Sequence, residues 1–148
     1  MEQYSSDWLS QQIVSGAQDA IIFADSKGVI HLWNSGAEAL FGYAASEAVG
    51  QTLDLIIPER LRERHWGGYH GVMESGVSRY GRELLAVPGQ RKDGTRVSLE
   101  FSILLLMGEN GKPLGAAALL RDVSERFQRE RETRERIAEL EAQVAPKE

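Results

Sequence analysis

One histidine in the middle of a predicted helix is the residue of this chain best suited to chemistry. His65 follows Pro58, a residue that favours the first turn of a helix. A neutral imidazole held on a helix beside an apolar cavity can ligate a metal centre such as haem iron. Leu61 and Tyr69 lie one turn before and after it on the same predicted face. If this face points to the protein interior, His65 indicates a sensor. If it points to water, we expect a general interaction module.

The other two histidines are weaker candidates, and no catalytic group of residues stands out. His31 alternates with Ile30 and Leu32 on a predicted strand, which favours a surface position without a metal role. His70 falls on another helical face than His65, so we expect it to be exposed or to contact a haem propionate. The sequence contains no nucleophile elbow, phosphate-binding glycine loop or suggestive carboxylate pair, and we do not predict an enzyme.

Composition limits the remaining function classes. The 148 residues fit one domain with flanking helices, and a net charge of −5 argues against general nucleic-acid binding. The absence of cysteine excludes disulfides and thiolate metal sites. The first residues have neither a basic stretch nor a long apolar run, so we expect a cytoplasmic protein without a membrane span.

The first half of the chain alternates short helices with two strands. Apolar spacing and capping residues predict each element, and the tight turn between the strands predicts a hairpin. The predicted elements are a helix over 6–16, strands over 20–24 and 29–33, a helix over 37–41 and a helical turn over 46–50.

The helix that carries His65 is predicted over residues 58–74. Gly67, Gly68 and Gly71 weaken it, because each glycine in a helix interior costs about 1 kcal/mol relative to alanine. We therefore expect this helix to be mobile or irregular towards its C-terminal end.

Three strands and a charged helix complete the chain, at 82–87, 96–107, 114–120 and 122–144. Short helices between two groups of strands favour an α+β fold with a five-stranded antiparallel sheet, whose one face the helices cover. A ligand would lie between the helices and the sheet.

Both terminal helices carry unpartnered apolar residues. Thr133, Ile137, Leu140 and Val144 form a short heptad seam. A second apolar stripe on the first helix consists of Trp8, Leu9 and Ile13. We expect a parallel homodimer through both helices, because an isolated helix of this length is marginal in water.

Eight short motifs together resemble those of PAS domains, which are sensor modules of signalling proteins. The resemblance implies a sensor domain over 17–123, between a helix at 1–16 and a signalling helix and tail at 124–148. The motifs are Ile21-Ile22-Phe23-Ala24-Asp25, Gly28-Val29-Ile30, Asn34-Ser35-Gly36-Ala37, Phe41-Gly42-Tyr43, Glu47-Ala48-Val49-Gly50, Ile56-Ile57-Pro58, Lys92-Asp93-Gly94-Thr95 and Arg121-Asp122-Val123-Ser124-Glu125.

Within that family, the middle of the chain resembles the haem-binding oxygen sensors of the FixL type. Those proteins carry an Arg-His pair on the long helix, matched here by Arg64-His65, and the spacing from His65 to Lys92-Asp93-Gly94-Thr95 agrees without a gap. The resemblance implies that haem b binds with His65 as the iron ligand. It also implies a response to a diatomic gas (O2, CO or NO) or to redox state, relayed by an unidentified signalling protein.

The predicted distal side departs from the family. Leu85 stands where the FixL type has an oxygen-stabilising arginine, and Glu83 stands near the place where related proteins have a ligating methionine. An apolar distal pocket favours CO and NO, which depend less on a hydrogen bond than O2 does. By the same resemblance Arg79 and Arg82 pair with haem propionates.

The same resemblance predicts the residues that wrap the porphyrin and the route to the terminal helix. The residues expected on the distal side or around the ring are Leu84, Leu85, Phe101, Ile103 and Leu119. By analogy, a shift of the long helix would pass through the sheet and Asp122 to the terminal helix. Two alternatives stay open: a haem-free dimerisation or small-molecule-binding module, and a non-covalent flavin site near Trp33 and Asn34.

Overall fold

A five-stranded antiparallel sheet, in the order β2-β1-β5-β4-β3, carries the helices of the protein. The computed structural model describes residues 4–77 and 85–144. Its strands are β1 (Ala20–Asp25), β2 (Ile30–Trp33), β3 (Leu85–Gln90), β4 (Arg96–Met107) and β5 (Pro113–Asp122). Its helices are α1 (Ser6–Gly16), α2 (Ser35–Phe41), α3 (Ala45–Ala48), α4 (Glu59–Ser75) and α5 (Ser124–Val144), with a 3₁₀ turn at Leu53–Ile56. The predicted α+β fold is confirmed.

Two elements differ from their predicted form. Helix α4 is continuous to Ser75 and ends at Gly76 in the left-handed region (φ 73°), so the expected irregularity at its glycines is wrong. Tertiary contacts of α4 offset the helix-weakening effect of those glycines. Strand β3 continues through Pro88, which the edge of a sheet tolerates because no neighbour needs its missing N–H. The predicted strand residues 82–84 lie outside the described residues.

The two faces of the sheet have different surroundings. One face, called the inner face below, packs against the short helices, and Ile30, Phe41 and Val97 are the largest side chains fully buried in this core. The opposite, outer face leaves Leu104 and Leu119 exposed, at 60% and 43% of their areas. Because side chains alternate across a strand, each β4 or β5 residue belongs to one face only.

A buried asparagine joins helix α1, strand β1 and helix α2. The amide oxygen of Asn34 accepts hydrogen bonds from the N–H groups of Ile21 (2.8 Å) and Ala37 (2.9 Å). Its amide nitrogen donates to the carbonyls of Val14 (2.8 Å) and Asp19 (3.1 Å). The side chain thus caps α2 and fixes the end of α1 beside the start of β1.

We expect Asn34→Ala to lower the free energy of unfolding by roughly 3 kcal/mol, because it removes a helix cap and leaves buried backbone groups unpaired. Urea denaturation measures the difference. Ser35→Ala is the matched control, since it removes only an exposed hydroxyl bond to the Ser15 carbonyl. A loss in Asn34→Ala no greater than in this control would contradict the assignment.

Candidate functional site

A cavity of about 110 Å³ lies between α4 and the inner face of the sheet. Most of its walls are apolar, and His65 and Tyr69 are the polar side chains that α4 contributes. The complete lining is Ile22, Ala24, Leu53, Ile56, Ile57, His65, Tyr69, Ile103, Ala116 and Ala118.

The His65 ring is half-buried at this cavity and carries an unpartnered nitrogen. Its Nδ1 atom is buried and makes no hydrogen bond with any described residue. Burial lowers the pKa of His65, the Asp54 carboxylate partly opposes this effect, and His70 lowers the pKa further. The imidazole is therefore held neutral, the form that ligates a metal. An unpaired buried polar atom is uncommon in native proteins and calls for a functional or structural explanation.

The side chains around the cavity are of the types that bind haem, but the cavity is smaller than a haem. A neutral imidazole supplies the iron ligand and apolar side chains supply the contacts that a porphyrin needs. Pockets for drug-sized ligands measure about 300–1,000 Å³. At about 110 Å³ the cavity is smaller than such a pocket, so a porphyrin would fit only if the elements around the cavity moved apart. Such a movement at α4 would break the bonds of the Tyr69 hydroxyl to the Ala24 and Asp25 carbonyls.

Tyr69 closes the cavity one helical turn beyond His65. Its hydroxyl lies 2.6 Å from the carbonyl oxygen of Asp25 and 3.2 Å from that of Ala24, and it donates to them. Burial, together with the charge of Asp25, raises the pKa of Tyr69 to about 12. The phenol therefore acts as a neutral donor that ties α4 to the end of β1.

This shift predicts an alkaline loss of stability. The neutral form of Tyr69 is favoured in the folded state, so its contribution is complete below the unfolded pKa of about 10 and is lost as pH rises towards 12. We expect Tyr69→Phe to reduce the free energy of unfolding by about 1 kcal/mol at pH 7 and to flatten the alkaline decline. Denaturant titrations from pH 7 to 11 test this, with Tyr43→Phe as control. An unchanged slope in Tyr69→Phe would contradict the role.

The structure brings together only part of the predicted porphyrin-wrapping residues. Ile103 lines the cavity, and Phe101 lies on the same inner face, packed against the core. The placement of Leu119 in the site is wrong: it pairs with Ile21 and Ser102 on the outer face, because its neighbour Ala118 faces the cavity.

The side chains of the remaining predicted site residues lie outside the part of the chain that the structure describes. The backbone of Leu85 begins β3 opposite Phe101, and its side chain lies outside the described set. The predicted distal leucine Leu84 and the predicted propionate partners Arg79 and Arg82 also lie outside the described residues.

Several cavity residues were missing from the prediction. Ile22 and Ala24 come from β1, and Ala116 and Ala118 come from β5. Alternation along both strands would have identified them once the inner face was known. The residues of the 3₁₀ turn and its C-cap, Leu53, Ile56 and Ile57, carry no comparable periodic signal.

The other candidate residues lie away from the cavity walls. His31 is exposed, as the alternation predicts, and its Nε2 lies 2.7 Å from an Asp25 carboxylate oxygen. His70 is exposed and stacks on Trp66, with ring centroids 5.7 Å apart. Trp33 is buried in the core, and the amide of Asn34 is occupied by backbone groups, so neither offers a free group to a flavin.

Over residues 4–77 and 85–144, no three His, Cys, Asp or Glu side chains cluster as a metal site would require. Haem iron needs only one protein ligand on its proximal side. None of the helices described is long and apolar enough to cross a lipid bilayer.

Comparison with known proteins shows that this chain is similar to sensor proteins. Residues 14–128 match the family described as PAS fold. Sensor protein FixL of Bradyrhizobium diazoefficiens is 32% identical over 137 residues, which cover 90% of this chain and 25% of that protein. Oxygen sensor protein DosP of Escherichia coli K12 is 30% identical over 108 residues, which cover 73% of this chain and 13% of that protein. The chain thus spans at most a quarter of these relatives.

A solved structure agrees with the observed architecture. The PAS domain of a protein from Colwellia psychrerythraea superposes with a TM-score of 0.71 at 25% identity. The match covers 82% of this chain and 99% of that one.

Proposed function

Because this chain belongs to the PAS family, whose members are sensor domains of signalling proteins, we propose that it is a haem-binding sensor of a diatomic gas or of redox state. The observation that carries the proposal is the neutral, half-buried imidazole of His65 at an apolar cavity. The similarity to Sensor protein FixL and Oxygen sensor protein DosP supports it. The Arg64-His65 pair also resembles the Arg-His pair of the FixL-type haem sensors.

In this proposal each side chain has a defined task. His65 would hold the iron, and Ile22, Ile103 and Ala118 would contact the porphyrin through their apolar surfaces. When bound, haem supplies an iron centre that takes up a small gas or changes its redox state. Because the strand side chains that line the described cavity are apolar and the Tyr69 hydroxyl already donates to backbone carbonyls, we expect CO and NO to be favoured over O2.

The route to α5 passes through an ion pair at the end of the sheet. Asp122 accepts a hydrogen bond from the Ser124 N–H (2.8 Å) and another from the Arg91 guanidinium (2.9 Å). Burial raises the pKa of Asp122, but these hydrogen bonds outweigh it and lower the pKa overall. Arg91 also donates to the Leu40 carbonyl at the end of α2 (3.3 Å). A movement of the helical layer would therefore reach the first turn of α5.

We propose that signalling uses a homodimer formed through α1 and α5. No described residue of either helix is buried. The apolar seam on α5 is exposed at Ile137 (49%), Leu140 (45%) and Val144 (80%), and on α1 at Trp8, Leu9 and Ile13. A second chain would cover these stripes and stabilise helices that are marginal alone. The domain limits of 17–123, the cytoplasmic location and the unidentified signalling partner stay predictions.

The absorption spectrum of the protein tests the proposal directly. Protein expressed with a haem supply should show a Soret band that shifts on reduction and on exposure to CO or NO. A colourless protein that also fails to take up added haemin would refute the haem-sensor function.

The small volume of the cavity favours a second candidate function, a haem-free module for a small apolar ligand. An apolar protein cavity of about 150 Å³ stays dry and binds benzene or xenon, and the cavity beside His65 measures about 110 Å³. Native mass spectrometry of the purified protein separates the two, because it reports either a haem mass, a small organic mass or none.

A further inference from the structure

Trp66, the residue after His65, makes two contacts that fix its indole ring. Its indole N–H donates to the Asp54 carboxylate at 2.6 Å. Its ring lies directly over Gly28, where a Cβ atom would overlap the ring. Gly28 has a φ of 82°, so the β1–β2 turn both requires glycine and leaves room for the indole.

Few other contacts fix the rotation of α4 about its own axis. Near the start of the helix, Arg62 donates to the Ile57 carbonyl at 3.0 Å and lies 4.0 Å from the Asp54 carboxylate. Met73 is its only buried residue among those described, and Gly67, Gly68 and Gly71 have open space where a side chain would be. The Tyr69 hydroxyl provides the other anchor, at the Asp25 carbonyl. The orientation of this helix therefore relies on these polar contacts together with its half-buried side chains.

Consecutive helical residues point about 100° apart, since a turn contains 3.6 residues. Fixing Trp66 therefore fixes the direction of His65, whose ring centroid lies 4.9 Å from that of Trp66. The 3₁₀ turn that presents Asp54 to the indole also contributes Leu53 and Ile56 to the cavity wall.

From this arrangement we propose that Trp66 is a positioning residue: its indole, held by Asp54 and Gly28, turns the His65 ring into the cavity. The consequence for haem affinity rests on the proposed function, whereas the orientation of His65 can be measured without haem.

Modification of histidines by diethyl pyrocarbonate in the haem-free protein tests the orientation. Exposed His31 serves as the internal reference, because His70 stacks on Trp66 and would itself respond to the variants, and peptide mass spectrometry gives the rate for each ring. In the unmodified sequence His65 should react most slowly. Trp66→Phe and Asp54→Ala should each raise the His65 rate about tenfold relative to His31, since each removes a hydrogen bond to a charged group. Asp54→Asn retains an acceptor and should stay near the original rate.

Two further variants separate positioning from general loss of stability. The double variant with Asp54→Ala and Trp66→Phe should react no faster than Asp54→Ala alone, because both substitutions remove the Trp66–Asp54 bond and Asp54→Ala already removes the Arg62 contact. Trp33→Phe is the matched control, since it removes a buried indole bond to the Tyr43 carbonyl away from α4. An unchanged His65 rate in Asp54→Ala, or an equal rise in Trp33→Phe, overturns the proposal.

Haem titration of the same variants provides the second readout. Asp54→Ala and Trp66→Phe should weaken haem binding about tenfold, with Asp54→Asn near the original affinity. If the original sequence binds no haem, the haem-sensor function fails, and the His65 reaction rates still support or overturn the positioning role.

Discussion

Replacing His65 with glycine should eliminate the protein ligand to haem iron and lower haem affinity by more than 100-fold. Even the loss of a hydrogen-bond partner of a metal ligand typically lowers metal affinity about 10–100-fold. Loss of the ligand itself should therefore lower the affinity further. His65 is the single histidine that lines the described cavity. Haemin titration followed by absorption spectroscopy measures the loss and the change in iron coordination.

Rescue and a matched control distinguish ligation from damage to the fold. Free imidazole should restore the spectrum of the original protein in His65→Gly, because it enters the space that the side chain leaves. His31→Gly removes an exposed histidine of β2, away from the cavity and from α4, and should leave the spectrum unchanged. An unaltered iron spectrum in His65→Gly would refute His65 as the ligand.

Ala118→Leu should weaken haem binding while leaving the protein folded. Ala118 lines the cavity on the inner face, between Ile22 and Ile103 of the neighbouring strands. The larger side chain fills the space of about 110 Å³ beside His65, and cavity filling commonly stabilises a protein by about 1 kcal/mol. We expect haem affinity to fall at least tenfold and the midpoint of thermal unfolding to stay constant or rise.

The neighbouring position provides the control for this prediction. Ala117 lies on the outer face between Phe23 and Leu104, so Ala117→Leu adds the same atoms away from the cavity. Its haem affinity should match that of the original protein. Equal haem binding by the two variants would show that the ligand does not use this cavity.

The sequence predicted the elements well because their signals are local. The caps, apolar periods and turn residues of α1, β1, β2 and β4 depend on residues close in the chain, and their predicted bounds agree with the structure within about two residues. The same holds for His65, whose helical face could be assigned from Leu61 and Tyr69. Glycine content was a weaker guide, since α4 stays helical through Gly67, Gly68 and Gly71.

The composition of the candidate site, by contrast, depended on contacts between distant segments. Leu119 was expected at the porphyrin and lies on the outer face, because the pairing of β5 with β1 and β4 sets which alternate residues point inward. No local pattern links Asp54 or Gly28 to Trp66, and these contacts orient the helix. The sequence alone thus indicated the fold and the histidine that we propose as the iron ligand. Only the tertiary structure decided what surrounds that residue, because sheet register and helix rotation arise from packing across the whole chain.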